Sequence, residues 1–210
     1  TQAKKQLLDN HVNGEKTAKY LKGLMEERGI KTRIIDNPVA NPVIYGELKS
    51  PNKNAHTILI YGHYDVQPVK EDWTDAFNPK VVDTTVMIHG KDVKDRRVYA
   101  RGSSDDKGQL ITHLFAVETY IKKFGSIPVN LKFLFDGGEE SGSPGLDDIV
   151  VNNRDLLKSD LIIMSDTGNE NIDTPSLNTT LRGIVTANVY IKVANNGQHS
   201  GAFGGFMDNS

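Results

Sequence analysis

Residues able to do metal chemistry recur along this chain in short groups. In Tyr61-Gly62-His63-Tyr64-Asp65-Val66-Gln67-Pro68 an imidazole and a carboxylate stand two residues apart, directly after an apolar run. In extended backbone, side chains at i and i+2 leave on the same face, so Asp65 can hold one nitrogen of the His63 ring while the other binds a metal. An Asp-Asp pair at 105 and 106, a Glu-Glu pair at 139 and 140, and Asp166 supply further acids. Brought together, so many carboxylates repel unless cations neutralise them, and divalent metal is the simplest solution. The chain has no cysteine, so any metal must be held by His and carboxylates. That donor set suits zinc, and also manganese or cobalt, better than copper or iron-sulfur chemistry. Two ions sharing one carboxylate, about 3.5 to 4 Å apart, would make a nucleophile of a bridging water. One acid must then stay free as the base. Read as extended backbone, Glu139 and Glu140 diverge, so one can ligate while the other faces the water.

Each of these residues also has an ordinary role. Asp105 and Asp106 stand where helix caps are common, Glu139-Glu140 before Ser141-Gly142-Ser143 reads as a solvated turn, and Asp166 before Thr167-Gly168 reads as a turn residue. A lone His63 is more often structural than a ligand. Their joint placement beside predicted strand ends favours the chemical reading.

The elements that must position them alternate between strand and helix, which predicts an α/β fold with a mainly parallel sheet flanked by helices. Leu7, Leu8, His11, Val12, Ala18, Leu21, Leu24 and Met25 recur at helical spacing and Gly29 supplies a stop, giving one amphipathic helix over 4–28. Strands are expected at 32–36, 43–48, 57–61 and 129–135, and a second helix from Lys107 to about Phe124, opened by Asp105 or Asp106. Ser143-Pro144 reads as the start of a helix through Leu146 to Leu157, and Leu161 to Met164 as a short buried strand. The loops beyond the carboxyl ends of such strands converge on one crevice, where ligands bind. His63, Glu139, Glu140 and Asp166 each follow a strand, and Asp105 precedes a helix.

From Thr180 the pattern changes: Val185, Ala187, Val189, Ile191 and Val193 alternate with more polar residues, the mark of a strand with one buried face. A turn-rich Asp173-Thr174-Pro175-Ser176 precedes it, so a catalytic domain over 1–177 and the start of a second, lid-like domain over 178–210 are expected.

Composition limits the alternatives. With 210 residues, 37% hydrophobic and 25% charged, the chain can bury a core, and a formal net charge of -2 gives no reason to expect a nucleic-acid or membrane partner. The sign-alternating Lys91-Asp92-Val93-Lys94-Asp95-Arg96-Arg97 reads as a solvated loop. No apolar run approaches the roughly 20 residues of a membrane span. The chain opens on Thr1 rather than Met, which leaves a removed signal peptide open, with the cytoplasm as the expected location. His11 and His113 lie inside predicted helices, where packing or surface roles are expected, and His56 and His89 have no acidic motif beside them.

Three blocks resemble the di-zinc metallopeptidase family that includes carnosine dipeptidase, bacterial glutamate carboxypeptidase, acetylornithine deacetylase and succinyl-diaminopimelate desuccinylase. They are Gly62-His63-Tyr64-Asp65-Val66-Gln67-Pro68, Ala100-Arg101-Gly102-Ser103-Ser104-Asp105-Asp106-Lys107-Gly108 and Gly138-Glu139-Glu140-Ser141-Gly142-Ser143. The Gln-Pro after the His-x-Asp motif, Asp72-Trp73 to Phe77, and Glu-Glu-Ser-Gly-Ser are nearest to the dipeptidase branch. The resemblance implies a zinc-peptidase-like catalytic domain with a smaller α+β lid. It also implies that Asp105 bridges two metals, with His63 and Asp166 completing one site, Glu140 serving the other, Asp65 orienting His63 and Glu139 acting as general base. It further implies a cis peptide between Asp105 and Asp106, a homodimer formed through the lid, and an oxyanion-stabilising role for His199 in Gln198-His199-Ser200-Gly201. The implied activity is hydrolysis of peptide bonds in small peptides, with deacylation of N-acyl amino acids as the near alternative and a non-catalytic metal-binding relative as the distant one. Members of the family continue beyond the position of Ser210 to a late His at the second metal, so the Glu140 site is expected to be incomplete within these residues.

Overall fold

The computed structural model describes residues 2–69 and 72–191, with side chains from residue 13 onward. The chain divides into two units, Thr1–Ser176 and Leu177–Ser210. The first contains a helix α1 (Gln2–Glu26), strands β1 (Lys31–Ile35), β2 (Asn41–Leu48) and β3 (Thr57–His63), a hairpin β4 (Lys80–Ile88) and β5 (Lys91–Tyr99), and helix α2 (Lys107–Phe124). Strand β6 (Asn130–Gly137), a 3-10 turn (Glu139–Ser141), short helices α3 (Leu146–Asn152) and α4 (Arg154–Leu157), and strand β7 (Leu161–Met164) follow.

Five strands form a sheet in the order β1-β2-β6-β3-β7. The expected mainly parallel sheet is in fact mixed: β1-β2 and β2-β6 run antiparallel, whereas β6-β3 and β3-β7 run parallel. The connection from β1 to β2 is only a few residues long, enough for a reversal and too short for a helical crossover. Alternation along the strands explains the layers. Ile44, Ile60, Phe133 and Phe135 point to one face, where Ala18, Leu21 and Met25 of α1 and Leu110, Leu114 and Val117 of α2 cover them. Val43, Tyr45, Leu59 and Leu134 point to the other, against Ile149 of α3 and Leu157 of α4. Gly29, at φ 74°, ends the first helical segment as expected.

Four expectations about elements need correction. The charged segment 91–97 is a strand, β5, paired with β4 from Lys80 opposite Tyr99 to Ile88 opposite Lys91. Its turn, His89-Gly90, has φ of 48° and 74°, the left-handed pair that suits a two-residue hairpin. Both faces of β5 are exposed, so it carries no apolar alternation to announce a strand, and cross-strand pairs such as Asp83 with Arg96 at 3.8 Å replace it. The helix expected from Ser143-Pro144 begins only at Leu146, because Ser143 takes φ 51° and Gly145 φ 79°, and it is divided at Asn153. Strand β7 is apolar but lies at the sheet edge, with β3 as its only neighbour among the described residues, so Leu161, Ile162 and Met164 stay exposed. Finally, no strand forms over the described part of 184–193: Val185 is 95% exposed, and alternation alone makes no strand without a paired neighbour. Val193 lies outside the described residues. Among the described residues, no helix is long and apolar enough to cross a membrane.

Candidate metal centre

His63 is the last residue of β3 and lies opposite Asp136 of β6 in the parallel register. Because β3, β6 and β7 run the same way, their carboxyl ends meet on one side of the sheet. His63, the 139–141 turn and Asp166 all lie there. The His63 side chain is only 1% exposed, and its Nδ1 lies 3.2 Å from Asp65 Oδ1, as the i, i+2 spacing requires. Its Nε2 lies 3.0 Å from Asp105 Oδ1, 3.7 Å from Asp166 Oδ2 and 3.8 Å from Glu139 Oε2. Among the described residues two sets of potential ligand atoms therefore form, the atoms of each lying within 4.8 Å of one another: His63 with Glu139 and Asp166, and His63 with Asp105 and Glu140. Every metal ligand named from the sequence lies in one of these sets.

The two glutamates diverge, though not for the expected reason. They occupy a 3-10 turn rather than extended backbone, and about three residues per turn send successive side chains roughly a third of a revolution apart. Asp65 fastens that turn to β3's end: its Oδ1 accepts the N–H of Glu139 at 3.2 Å and its Oδ2 the N–H of Glu140 at 3.1 Å. One carboxylate thus fixes both the imidazole and the turn beside it.

Asp106 has a larger part than its helix-cap reading suggests. It stands at the N-cap of α2, but its side chain makes no capping bond. Instead the fully buried carboxylate accepts the backbone N–H of His63 at 3.0 Å, leaving Oδ1 without a partner. The peptide between Asp105 and Asp106 is cis, as the family resemblance implied. Gly62 makes this approach possible, since a Cβ there would lie 2.4 Å from Asp106 Oδ2 and 2.5 Å from Leu110 Cδ2. Nothing local in the sequence marks the contact, which joins residues 43 positions apart.

The electrostatics call for cations. Burial opposes the charged His63 ring, but the hydrogen bond and charge of Asp65, with Asp166 and Glu139, outweigh it and lift the ring to about 9. Burial raises the Glu139 and Asp166 carboxyls, aided by neighbouring acids and opposed by His63. Asp106 is pushed up to about 6, mainly by burial. Among the described residues Lys107 forms no close ion pair with the cluster: its ammonium donates to the Tyr64 carbonyl at 3.2 Å, and burial lowers its pKa against the opposing pull of the Asp65 and Asp105 charges. The His63 proton is thus the cation at the centre of the acids, and a divalent ion binding there must displace it. Oxygen donors around one imidazole nitrogen match a zinc or manganese ion in kind.

Among the described side chains, the other histidines stand apart from these sets. His113 on α2 hydrogen-bonds Ser165 Oγ, and burial lowers its pKa. His56 and His89 do have acidic neighbours, Asp160 at 3.6 Å and Asp173 at 3.7 Å, which the sequence did not reveal because they come from distant segments. His199 lies outside the described residues.

Comparison with known proteins places the chain in a family. The family described as "Peptidase family M20/M25/M40" matches residues 59–189. The chain is 35% identical over 170 residues to the Cys-Gly metallodipeptidase of Schizosaccharomyces pombe, covering 78% of this chain and 33% of that protein. It is 34% identical over 172 residues to the Beta-Ala-His dipeptidase of Mus musculus, covering 80% and 32% respectively. The crystal structure of an M20 family metallo-carboxypeptidase from Sulfolobus solfataricus matches with 37% identity and a TM-score of 0.58, covering 73% of this chain and 32% of that one. The chain therefore spans about a third of the length of the curated relatives it matches.

Proposed function

Since the chain belongs to peptidase family M20/M25/M40, we propose that the acids around His63 are a centre for two divalent metal ions that hydrolyses peptide bonds in dipeptides or other short peptides. The observation that carries this reading is the convergence of His63, Asp105, Glu139, Glu140 and Asp166 into two overlapping sets of ligand atoms. We assign Asp105 to both ions, His63 and Asp166 to one and Glu140 to the other, with zinc as the metal and manganese or cobalt as alternatives. Bound there, divalent metal supplies a polarised substrate carbonyl and a water acidic enough to attack it at neutral pH.

Glu139 is assigned as the general base. Among the described residues no hydrogen bond ends on its carboxylate, and its nearest cation is the His63 ring at 3.8 Å. Burial raises its pKa, which brings a carboxylate closer to the pH at which accepting and returning a proton are both easy. Glu139 takes the proton of the attacking water and delivers it to the leaving nitrogen. Asp65 keeps the His63 Nε2 aimed at the acids by engaging Nδ1. We further propose that 1–177 belong to the catalytic domain and 178–210 to a lid through which a homodimer forms, with the cytoplasm as its location.

The test is metal content and hydrolysis by wild type and Glu139→Gln, with dipeptides and N-acyl amino acids as substrates. Glu139→Gln should retain metal and lose at least about a hundredfold in turnover. Unchanged hydrolysis would remove Glu139 from the mechanism, and activity on N-acyl amino acids alone would move the substrate class to deacylation.

A further inference from the structure

The two neighbouring glutamates are held very differently. Gln67 lies four residues beyond His63, and its side-chain amide donates to Glu140 Oε2 at 2.7 Å and to the Glu140 backbone carbonyl at 3.1 Å. The backbone N–H of Gln67 donates to Glu140 Oε1 at 3.2 Å. Both oxygens of Glu140 are therefore engaged by one residue. A carboxylate offers about four lone-pair positions, so two accepted hydrogen bonds leave capacity for a cation while fixing the rotamer that presents it. The Glu139 carboxylate, one residue earlier, accepts no hydrogen bond among the described residues. Gln67 itself is preset, because Pro68 follows it and biases the preceding backbone towards extended conformations.

We propose that Gln67 is the positioning residue for Glu140, and that this clamp is what divides the adjacent acids into a fixed metal ligand and a mobile base. The inference rests on the assignment of Glu140 as a ligand made above. It also accounts for a division of labour that spacing alone leaves symmetric: Asp65 treats the two N–H groups alike, at 3.2 and 3.1 Å, so the distinction must come from contacts to the carboxylates. Gln67 is exposed, so its replacement opens no core cavity.

The test is zinc titration of the metal-stripped protein by calorimetry, in parallel with thermal unfolding, for wild type, Gln67→Met, Gln67→Ala and Glu140→Ala. Methionine preserves the length of the side chain without its donor. Both Gln67 variants should bind zinc about tenfold more weakly at one site, leave the other site unchanged and unfold at the wild-type temperature. Wild-type affinity in Gln67→Met, with affinity still lost in Glu140→Ala, would overturn the role of Gln67 alone. A fall in unfolding temperature that accompanies equal weakening of both sites would overturn it too, as the mark of a loop anchor. Wild-type affinity in Glu140→Ala would instead overturn the ligand assignment beneath it.

Discussion

Replacing Asp65 with Asn keeps the shape of the side chain that joins β3 to the 139–141 turn and removes its charge. In the metal-free protein the His63 ring is lifted from 6.5 to about 9 against its own burial, with Asp65 the largest of the raising influences. Loss of an opposite charge at hydrogen-bond distance should lower the ring by about 1 to 3 pH units, or about 1.4 to 4 kcal/mol. The near-complete burial of the side chain, 1% exposed, leaves little solvent to screen that effect. The sign follows from which state holds the proton. Folded protein keeps the ring charged after the unfolded chain has released it, so the stabilisation is complete below pH 6.5 and disappears as pH rises through about 9. Asp65→Asn should shrink that pH-dependent loss, because less of the raised pKa remains. The assay is a proton NMR titration of the His63 ring in metal-free protein, its resonance identified by its absence from His63→Gln, alongside urea unfolding across the same window. Zinc affinity should fall by about 10- to 100-fold in the same variant, since the amide must present a donor either to the ring or to a backbone N–H. A ring that titrates at the wild-type pH would refute the claim that Asp65 governs it.

Asp106→Asn should likewise flatten a loss of stability with rising pH, in a more acidic window. Burial raises this carboxyl from 3.8 to about 6, so its contribution to stability declines as pH climbs through that interval and stays lost above it. In metal-free protein the Asn variant should therefore gain on wild type between about pH 4 and about pH 7, by at most about 3 kcal/mol, while one oxygen still receives the His63 N–H. Urea unfolding at the two pH values measures this, and a constant gap between the proteins would contradict it. Gly62→Ala should destabilise by about 1 to 3 kcal/mol and weaken metal binding, because the added methyl would lie 2.4 Å from Asp106 Oδ2 and 2.5 Å from Leu110. Unfolding and zinc titrations at wild-type values would show that α2 yields freely. Zinc binding at neutral pH should also release a proton from His63, seen as a dependence of the calorimetric heat on buffer ionisation enthalpy. A heat independent of buffer would mean that the ring is already neutral.

How much of this was legible in the sequence depended on how local each interaction is. The pairing of His63 with Asp65 follows from a two-residue period and is present at 3.2 Å. The burial of Ala18, Leu21 and Met25 follows from helical spacing. The division of Glu139 from Glu140 was foreseen but from the wrong backbone, because a 3-10 turn and a strand both separate consecutive side chains. Strand β5 was missed because neither of its faces is buried, which removes the alternation that sequence reading relies on. The apolar Leu161–Met164 was recognised as a strand and misplaced as buried, since composition cannot tell an edge from a centre. Gln67 with Glu140 joins residues 73 positions apart through an exposed side chain, and no periodicity marks such a pair.

The parallel half of the sheet explains why the acids meet at all. Antiparallel neighbours would send successive strand ends to opposite edges, whereas β3, β6 and β7 end together. The antiparallel β2 contributes from its beginning instead: Asn41 donates to the Gly137 carbonyl at 2.8 Å, bracing the end of β6 just before the glutamate turn. Packing therefore fixes the backbone from which the acids project. Their mutual repulsion is met locally by the His63 proton in the metal-free protein, and bound cations would meet it in the proposed loaded centre. In the proposed centre the same contacts would serve both states, with Asp65 on Nδ1 and Nε2 left as the position where proton and metal would compete. That competition should make metal affinity rise with pH until the ring is neutral, a centre organised by hydrogen bonds that do not require the metal and completed electrostatically when it binds.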